Sequence, residues 1–232
     1  MRVAIIPARG GSKRIPKKNI KEFCGKPMIA WSIEAAKSSD CFDRIIVSTD
    51  SQEIANVAKN FGAEVPFVRP ANLSDDHTTV GPVVNHAIKF LSQNGCELDE
   101  VCCIYATAPF IQPSEIRTGL YKLQNLDCDF SFSVCSYQFP IQRAFSVLGE
   151  VGVSMYKPNE FNTRSQDLEE AYHDAGQFYW GYPNSWGNNI KMFSERSAPV
   201  ILPHYRVQDI DTIEDWIRAE LLFEAINNSN IK

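Results

Sequence analysis

Five cationic side chains follow the first apolar stretch of the chain, within the segment IIPARGGSKRIPKKNI at residues 5–20. Residues 1–26 hold eight of the 23 Lys and Arg residues but only one of the 28 acidic residues. The N–H groups of a Gly-Gly-Ser turn can bind an anion, and a following helix adds the positive end of its dipole. Arg9, Lys13 and Lys18 could then contact several phosphates. The segment predicts a site for a polyphosphate, with a solvated basic loop as the alternative.

The spacing of this loop and the overall composition disfavour several classes of protein. The loop has neither the GxxxxGK[ST] pattern of P-loop NTPases nor the GxGxxG pattern of Rossmann dehydrogenases. The net charge of −5 disfavours a general nucleic-acid binder, which is usually basic. The seven cysteines include no CxxC pair, so neither a structural zinc site nor a disulfide framework is predicted. No stretch approaches the roughly 18 apolar residues of a membrane span, so we expect no membrane partner and a cytoplasmic location.

A pair of carboxylates, Asp209 and Asp211, stands just before the last helical pattern, in the sequence DIDT at 209–212. Thr212 with Asp215 three residues later resembles a helix capping box, which gives these acids a structural interpretation. Two carboxylates separated by one residue can also bind a hard cation, and Mg²⁺ prefers one or two carboxylates together with phosphate oxygens of a substrate. Both interpretations stay open, and they are compatible if Asp211 lies near the cap and Asp209 reaches into the site.

Strand and helix patterns alternate through residues 1–135 and would position these groups. The strand patterns are VAIIPA, RIIVSTD, AEVPFVRP, EVCCIYA and DFSFSVC. Helical patterns lie in KPMIAWSIEAAKSS, SQEIANVAKNFG, TTVGPVVNHAIKFLSQNG and QPSEIRTGLYKLQN. Repeated βα units predict an α/β fold of three layers, a mostly parallel twisted sheet with helices on both faces. Ligands of such folds bind at the carboxyl ends of the strands, which is where the basic loop begins.

The alternation stops after Val134, and residues 136–175 are polar and irregular. The strand-like pieces RAFSVL and VGVSMY within them predict a hairpin-like insertion or a dimerisation arm. QFYWGY and APVILP are typical of strands that return to the sheet, and DTIEDWIRAELLFEAINN predicts a final amphipathic helix. Because no linker or low-complexity segment interrupts the chain, we predict a single domain over residues 1–232.

The basic loop resembles the signature of the CMP-sialic acid synthetase family of cytidylyltransferases, a pattern close to [IL]xARxGSKxxPxKN. The segments FDRIIVSTD, VRPANLSDD, YATAPF and VQDIDT resemble further blocks of that family in the same order. The resemblance covers nearly the whole chain and implies a fold like that of the nucleotide-diphospho-sugar transferases. It also implies that the loop binds the triphosphate of CTP and that Arg9 and Lys18 are catalytic. The loop residues implied at the triphosphate are Ala8, Arg9, Gly10, Gly11, Ser12, Lys13, Lys18 and Asn19.

In this family two aspartates carry Mg²⁺, and the arginine of an RP pair helps to hold the nucleotide. The resemblance therefore implies Asp209 and Asp211 as metal ligands, Asp211 also as a catalytic residue, and Arg69 with Ser74 at the nucleotide. From its residues alone, Arg69 could instead be a surface side chain before a proline turn. The anomeric hydroxyl of the sugar would attack the α-phosphorus of CTP, and pyrophosphate would leave. Such a transfer needs positioning and charge neutralisation, and the sequence identifies no general base.

Tyr105 and the segment 161–181 bear on the choice of acceptor sugar. Sialic acid synthetases have QPTSP where this chain has YATAP, so Tyr105 replaces a glutamine that contacts the sugar, and Thr107 follows it. The segment 161–181 surrounds amide and guanidinium groups with aromatic residues, which suits a carboxylated, N-acylated sugar unless the segment is a polar dimer arm. Its candidate sugar-binding residues are Asn162, Arg164, Gln166 and Gln177. The segment resembles that of the pseudaminic acid cytidylyltransferases of flagellar and surface glycan pathways.

The favoured function is therefore Mg²⁺-dependent transfer of CMP from CTP to a nine-carbon acidic sugar, with pseudaminic acid as the favoured acceptor and a homodimer as the implied assembly. N-acetylneuraminic, legionaminic and 3-deoxy-manno-octulosonic acids are the alternative acceptors. A glycosyltransferase fits less well, because its acidic pair usually lies mid-chain and no basic loop opens its fold. A non-catalytic nucleotide-binding regulator would keep the basic loop but would not need Asp209 and Asp211.

Overall fold

The structure is a computed structural model that describes residues 1–188 and 190–228. The strands are β1 (Arg2–Pro7), β2 (Glu22–Phe23), β3 (Lys26–Pro27), β4 (Arg44–Ser48), β5 (Glu100–Ile104), β6 (Phe130–Ser136), β7 (Phe145–Val147), β8 (Val153–Met155), β9 (Tyr172–Gly181) and β10 (Ser197–Ile201). The helices are α1 (Met28–Ser38), α2 (Gln52–Asn60), α3 (Val80–Gln93), α4 (Pro113–Asn125), α5 (Pro183–Gly187) and α6 (Ile213–Asn228). No helix in these ranges combines the length and the apolar character that a bilayer span requires.

The middle layer is a six-stranded sheet in the order β10-β6-β9-β5-β1-β4. β1 pairs in parallel with β4 and β5, and β6 pairs in parallel with β10. β9 is antiparallel to both of its neighbours, β5 and β6. The mostly parallel sheet predicted from the βα repeats is confirmed, with one antiparallel strand contributed by the chain after the insertion.

Helices cover both faces of the sheet and bury an apolar core on each. On one face, α1, α2 and α4 bury Ile33, Ile54 and Leu120 against the sheet. On the other face, α3 and α5 bury Val84 and Trp186. Each fully buried side chain of this size contributes about 1.5–3 kcal/mol to folding. The three-layer architecture follows from this two-sided burial.

A third apolar cluster joins the loop after β1 to the beginning of α6. Ile15 of that loop is 1% exposed and packs in the cluster with Phe23 and Trp216. The Phe23 and Trp216 rings meet edge to face with their centroids 5.4 Å apart. Ile210, just before α6, is buried in the same cluster. This packing brings the basic loop and the acidic segment at 209–211 together, although they lie at opposite ends of the chain.

The segment AEVPFVRP does not form a strand, so that prediction is wrong. In the described chain its ladder pairing with the sheet is one isolated bridge, between Glu64 and Ile46. Pro66 and Pro70 have no N–H to donate, so the segment cannot continue a ladder beside β4. The chain runs on from here as an irregular segment to Arg69 and α3.

The hairpin predicted within residues 136–175 is confirmed. β7 and β8 form an antiparallel pair in which Phe145 faces Met155 and Val147 faces Val153. β9 begins at Tyr172, so the last four residues of the predicted insertion belong to the central sheet. The segment outside the sheet therefore ends at Ala171.

Candidate active site

A cavity of about 400 Å³ lies at the carboxyl ends of β1 and β5. Its lining comes from the loop after β1, from residues 69–83, from Tyr105–Thr107 after β5, and from Asp211. This is the sheet edge at which ligands of parallel α/β folds bind. The predicted site residues that line it are Arg9, Ser12, Lys13, Lys18, Asn19, Arg69, Tyr105, Thr107 and Asp211.

Hydrogen bonds to the backbone fix the course of the loop after β1. Asn19 Nδ2 donates to the carbonyl of Arg9 (2.9 Å), and the Gly10 N–H donates to Asp50 Oδ1 (2.8 Å). A Cβ on Gly10 would lie 3.1 Å from the Cβ of Ser51, which is tighter than an ordinary contact, so glycine eases the close approach of the loop to the start of α2. Asn19 and Gly10 therefore shape the loop, and the Gly10 N–H already has an acceptor.

Three of the predicted loop residues are not part of the cavity lining. Ala8 is buried and Gly10 is exposed, and neither lines the cavity. The Ala8 N–H donates to the carbonyl of Ser48 at the end of β4 (2.9 Å). A Cβ on Gly11 would meet nothing within 4 Å in the described chain, so no neighbouring atom requires glycine there. Of the residues implied at the triphosphate, the charged and polar side chains line the cavity and the smallest ones do not.

Lys18 contacts the acidic segment across the cavity. Its Nζ donates to the carbonyl of Ile210 (2.6 Å) and lies 3.3 Å from Asp211 Oδ1. Arg14 approaches the same carboxylate from the other side, with Nη2 2.8 Å from Asp211 Oδ2. Arg14 was not among the predicted site residues, because the family signature leaves that position open. Its charge within the basic loop was the only signal that could have identified it.

The expectation that Asp209 reaches into the site while Asp211 lies at the cap is wrong, because Asp211 lines the cavity and Asp209, two residues before it, does not. Partial desolvation, and then the charge of Asp211, raise the pKa of Asp209. A carboxylate whose charge is disfavoured by burial and by a neighbouring carboxylate provides a suitable environment for a cation. In the described ranges, no group of three or more His, Cys, Asp and Glu side chains gathers as a metal site. A cation here would need further oxygen ligands from the substrate.

The capping box predicted at the start of α6 is confirmed. The Thr212 N–H and hydroxyl both donate to Asp215 Oδ2 (2.8 Å each), and the Asp215 N–H donates back to the Thr212 hydroxyl (3.2 Å). The bonds from Thr212 lower the pKa of Asp215. Capping and site formation thus fall to different residues, with Asp215 capping the helix and Asp211 facing Lys18.

Arg69 is buried at the cavity, with only 4% of the residue exposed. Its Nε donates to the Ser74 hydroxyl (3.2 Å), which in turn donates to the carbonyl of Pro70 (3.0 Å). Its Nη2 has no hydrogen-bond partner in the described chain and lies 3.8 Å from Asp50 Oδ1. Desolvation lowers the pKa of Arg69. A buried guanidinium with an unused donor needs an acceptor, which a ligand can supply. Ser74 orients Arg69 and does not line the cavity.

Asp76 pairs with two of the predicted phosphate-binding side chains. Its Oδ1 lies 2.5 Å from Arg9 Nη1, and its Oδ2 contacts Lys13 Nζ. The hydrogen bonds from Lys13 and then Arg9 lower the pKa of Asp76. This pairing joins the basic loop to the segment that follows Arg69.

Of the predicted sugar-binding residues, Tyr105 and Thr107 line the cavity. Burial raises the pKa of Tyr105 to about 12, so its hydroxyl stays neutral at physiological pH. Gln177 is buried in β9, and its Nε2 donates to the carbonyl of Arg206 (2.5 Å). The Gln177 Oε1 has no partner among the described residues. Gln177 does not line the cavity in a single chain.

The other three predicted sugar-binding residues lie on the insertion, away from the cavity of their own chain. Asn162, Arg164 and Gln166 are not among its lining residues. The Arg164 Nε donates to Asp167 Oδ2 (2.7 Å) on the exposed surface.

The charges around the cavity favour an anion that carries several negative charges. Aligned cations at a low-dielectric surface raise the local concentration of such a ligand. The five cationic lining residues are Arg9, Lys13, Arg14, Lys18 and Arg69, and the three carboxylates are Asp75, Asp76 and Asp211. The lining can bind and orient a polyphosphate, and its acidic end offers a place for a cation.

Known proteins resemble the chain over nearly its full length. A family model for cytidylyltransferases matches residues 3–201. A Campylobacter jejuni subsp. jejuni serotype O:2 protein named pseudaminic acid cytidylyltransferase is 43% identical, over 98% of this chain and 98% of that protein. A Legionella pneumophila protein named CMP-N,N'-diacetyllegionaminic acid synthase is 35% identical, over 96% of each chain. Both relatives match in length as well as in sequence.

A solved structure has a similar fold at low sequence identity. A CMP:2-keto-3-deoxy-manno-octonic acid synthetase complexed with CTP superposes with a TM-score of 0.68 and 17% identity, over 96% of this chain and 98% of that one. At this identity the similarity concerns the fold, which is the three-layer α/β architecture predicted from the sequence.

Proposed function

The chain belongs to the cytidylyltransferase family, and from that premise we propose that it transfers CMP from CTP to the anomeric hydroxyl of pseudaminic acid, with release of pyrophosphate. The observation that carries the proposal is the approach of Lys18 to Asp211 within a cationic cavity at the sheet edge. The choice of acceptor is supported by the relative named pseudaminic acid cytidylyltransferase and by Tyr105 in place of glutamine.

In this proposal the basic loop binds the triphosphate. Arg9, Lys13 and Lys18 contact its oxygens, and Lys18 lies nearest to the acidic segment and hence to the α-phosphorus. Arg14 can leave Asp211 and add a further contact, since two-thirds of its side chain is exposed. Charge-assisted hydrogen bonds of this kind orient the phosphates and stabilise the charge of the transition state.

Asp209 and Asp211 would hold Mg²⁺ together with phosphate oxygens. The donor set fits, because both groups are hard carboxylate ligands and their mutual repulsion is relieved by a cation. The five cations of the lining exceed its three carboxylates by two positive charges, which is fewer than the negative charges of a triphosphate. The remaining negative charge also favours a divalent cation. When bound, the ion supplies neutralisation of phosphate charge and lowers the pKa of the attacking hydroxyl. Removal of divalent ions with EDTA should abolish turnover, and added Mg²⁺ should restore it.

Protein side chains position the other parts of the substrates. The buried Arg69 offers its unused Nη2 to an acceptor on the base or ribose of CTP. Tyr105 and Thr107 line the same cavity, where a neutral tyrosine hydroxyl can donate to the acceptor sugar. Gln177 carries an unpartnered Oε1 that can accept from a sugar hydroxyl or amide after a small shift.

We further propose a homodimer that forms through the insertion. The β7–β8 hairpin exposes apolar side chains, with Val147 69% and Val151 91% exposed. A second copy of the chain would cover these side chains. Asn162, Arg164 and Gln166 could then meet an acceptor sugar only at the partner's cavity. We place the enzyme in the cytoplasm, where CTP is available, and its product would serve flagellar or surface glycans.

Pyrophosphate release in the presence of CTP and Mg²⁺ tests the proposal against a panel of acidic sugars. We expect release with pseudaminic acid and much less with N-acetylneuraminic, legionaminic and 3-deoxy-manno-octulosonic acids. No release with any sugar would contradict the activity. Release with legionaminic but not pseudaminic acid would contradict only the acceptor.

A further inference from the structure

The carboxylate of Asp76 forms ion pairs with Arg9 and Lys13, the first two cationic side chains of the phosphate-binding loop. Arg9 Nη1 lies 2.5 Å from one carboxylate oxygen, and Lys13 Nζ contacts the other. The same Arg9 nitrogen also donates to the carbonyl of Asp75 (2.8 Å). Arg9 Nη1 and Lys13 Nζ therefore already have acceptors within the chain before a ligand arrives.

The segment that carries Asp76 also has hydrogen bonds of its own, in addition to its contacts with the loop. The Asp75 carboxylate accepts from the Thr78 hydroxyl (2.7 Å), the Thr78 N–H (2.7 Å) and the His77 N–H (3.0 Å). Such Asx turns hold a short segment without help from elsewhere. Thr78 and Thr79 line the cavity on the same segment. Asp76 consequently stays close to Arg9 and Lys13 when a ligand displaces it.

A carboxylate oxygen and a phosphate oxygen make the same kind of bond to a guanidinium or an ammonium group. The two kinds of acceptor must therefore compete for Arg9 and Lys13. Lys13 is 80% exposed and Asp76 is 35% exposed, so the ion pairs are solvated and easily broken. A triphosphate held at several further points can displace Asp76, whereas pyrophosphate alone has fewer contacts with which to resist its return.

We propose that Asp76 is an internal competitor of phosphate for Arg9 and Lys13, and that its return to them promotes the departure of pyrophosphate. The inference rests on the proposed function, since that function makes pyrophosphate the product. Asp76 is in this respect a positioning residue, which acts through the two cations and does not touch the reacting atoms.

The test is pyrophosphate binding to the full chain, measured by isothermal titration calorimetry with Mg²⁺ in the wild type and in Asp76→Asn. The amide keeps the size of the side chain and removes its charge. We expect about two- to tenfold tighter binding in the variant, with a difference that shrinks as salt is added. In the pyrophosphate-release assay, the variant should also be inhibited by lower concentrations of added pyrophosphate.

The matched control is Asp127→Asn, which removes an exposed carboxylate that pairs with Arg196 (2.9 Å) outside the cavity lining. The Asp127→Asn variant should bind pyrophosphate with the affinity of the wild type. The Asp76→Glu variant should do the same, because it keeps the negative charge. Unchanged or weaker binding by Asp76→Asn would overturn the inference, because a merely structural role of Asp76 predicts weaker binding. The measurement needs no turnover, so a chain that binds pyrophosphate as expected but makes no CMP-sugar would contradict the proposed function alone.

Discussion

Lys18 and Lys21 belong to the same basic loop but have different surroundings. The Lys18 Nζ is held between the carbonyl of Ile210 and Asp211 in the cavity. The Lys21 Nζ lies 4.3 Å from the centroid of the Trp216 ring, outside the cavity lining. The charge of Lys18 therefore faces the cavity, whereas the charge of Lys21 packs on α6.

We expect Lys18→Ala to lower kcat by about 100-fold or more, because it removes a preorganised charge from the transition state. Lys21→Ala should lower kcat by less than about threefold, since it loses only a cation–π contact with Trp216 outside the cavity lining. Steady-state rates of pyrophosphate release measure both. Similar losses in the two variants would contradict a specific role for Lys18.

The sequence predicted the side chains that a motif defines, but it could not predict the pairs that folding creates. Arg9, Lys13, Lys18 and Arg69 line the cavity as the loop and the RP pair indicated. The pairing of Asp76 with the loop depends on how the segment after Pro70 returns to it, which no local pattern specifies. The contact of Arg14 with Asp211 likewise depends on the cluster around Ile15.

At the scale of elements, the start of α6 divides two tasks between neighbouring carboxylates. Asp215 caps the helix through Thr212, and Asp211 faces Lys18. We expect Asp215→Ala to lower the free energy of unfolding by about 1 kcal/mol while retaining turnover. Asp211→Asn should keep the stability and lower kcat by about 100-fold or more, because a ligand of the proposed metal ion is lost. Urea unfolding and pyrophosphate release distinguish the two, and the reverse pattern would contradict the assignment.

α4 approaches the sheet so closely that one position has no room for a side chain. A Cβ on Gly119 would lie 2.7 Å from Phe178 Cε2 and 2.8 Å from Trp180 Cδ1. Gly119→Ala should therefore lower the free energy of unfolding by about 1–3 kcal/mol through overpacking. Gly81→Ala is the matched control, because a Cβ there meets nothing within 4 Å in the described chain and alanine favours the helix. Equal stability of the two variants, measured by urea unfolding, would contradict this packing.

Elements with a long periodic pattern were predictable, and those that depend on their neighbours were not. α2, α3 and α4 lie within their predicted segments, with Gly62 and Gly95 following the ends of the first two. The segment around Pro66 has the apolar residues of a strand but lacks the donors to pair as one. The first four residues of β9 lie within the predicted insertion, because the strand begins by pairing with Ser136 and Cys135 of β6.

At the scale of the whole molecule, the exposed β7–β8 hairpin is the surface through which we expect two copies of the chain to associate. Val147 and Val153 face each other across β7 and β8 and are 69% and 59% exposed. We expect the wild type to sediment as a dimer and the double variant Val147→Ser, Val153→Ser to shift towards monomer, since buried apolar area drives such association. The control Leu126→Ser, which removes an exposed apolar side chain outside the hairpin, should remain dimeric. A monomeric wild type in analytical ultracentrifugation would contradict the proposed assembly.

The architecture as a whole was predictable because both faces of the sheet need covering and the βα repeats supply the helices. The role of the insertion could not be predicted from the same reasoning. Its polar residues Asn162, Arg164 and Gln166 suggested a sugar site by their composition, but a single chain keeps them away from the cavity. Their contribution to binding stays a prediction that depends on the second copy.

The most direct test of cytidylyl transfer by this chain is ³¹P NMR of a reaction that contains the full chain, CTP, Mg²⁺ and pseudaminic acid. Attack by the anomeric hydroxyl on the α-phosphorus predicts that the three CTP resonances disappear. One phosphodiester resonance of the CMP-sugar and the resonance of pyrophosphate should replace them in equal molar amounts. Unchanged CTP, or conversion to CDP and inorganic phosphate, would contradict cytidylyl transfer to this sugar.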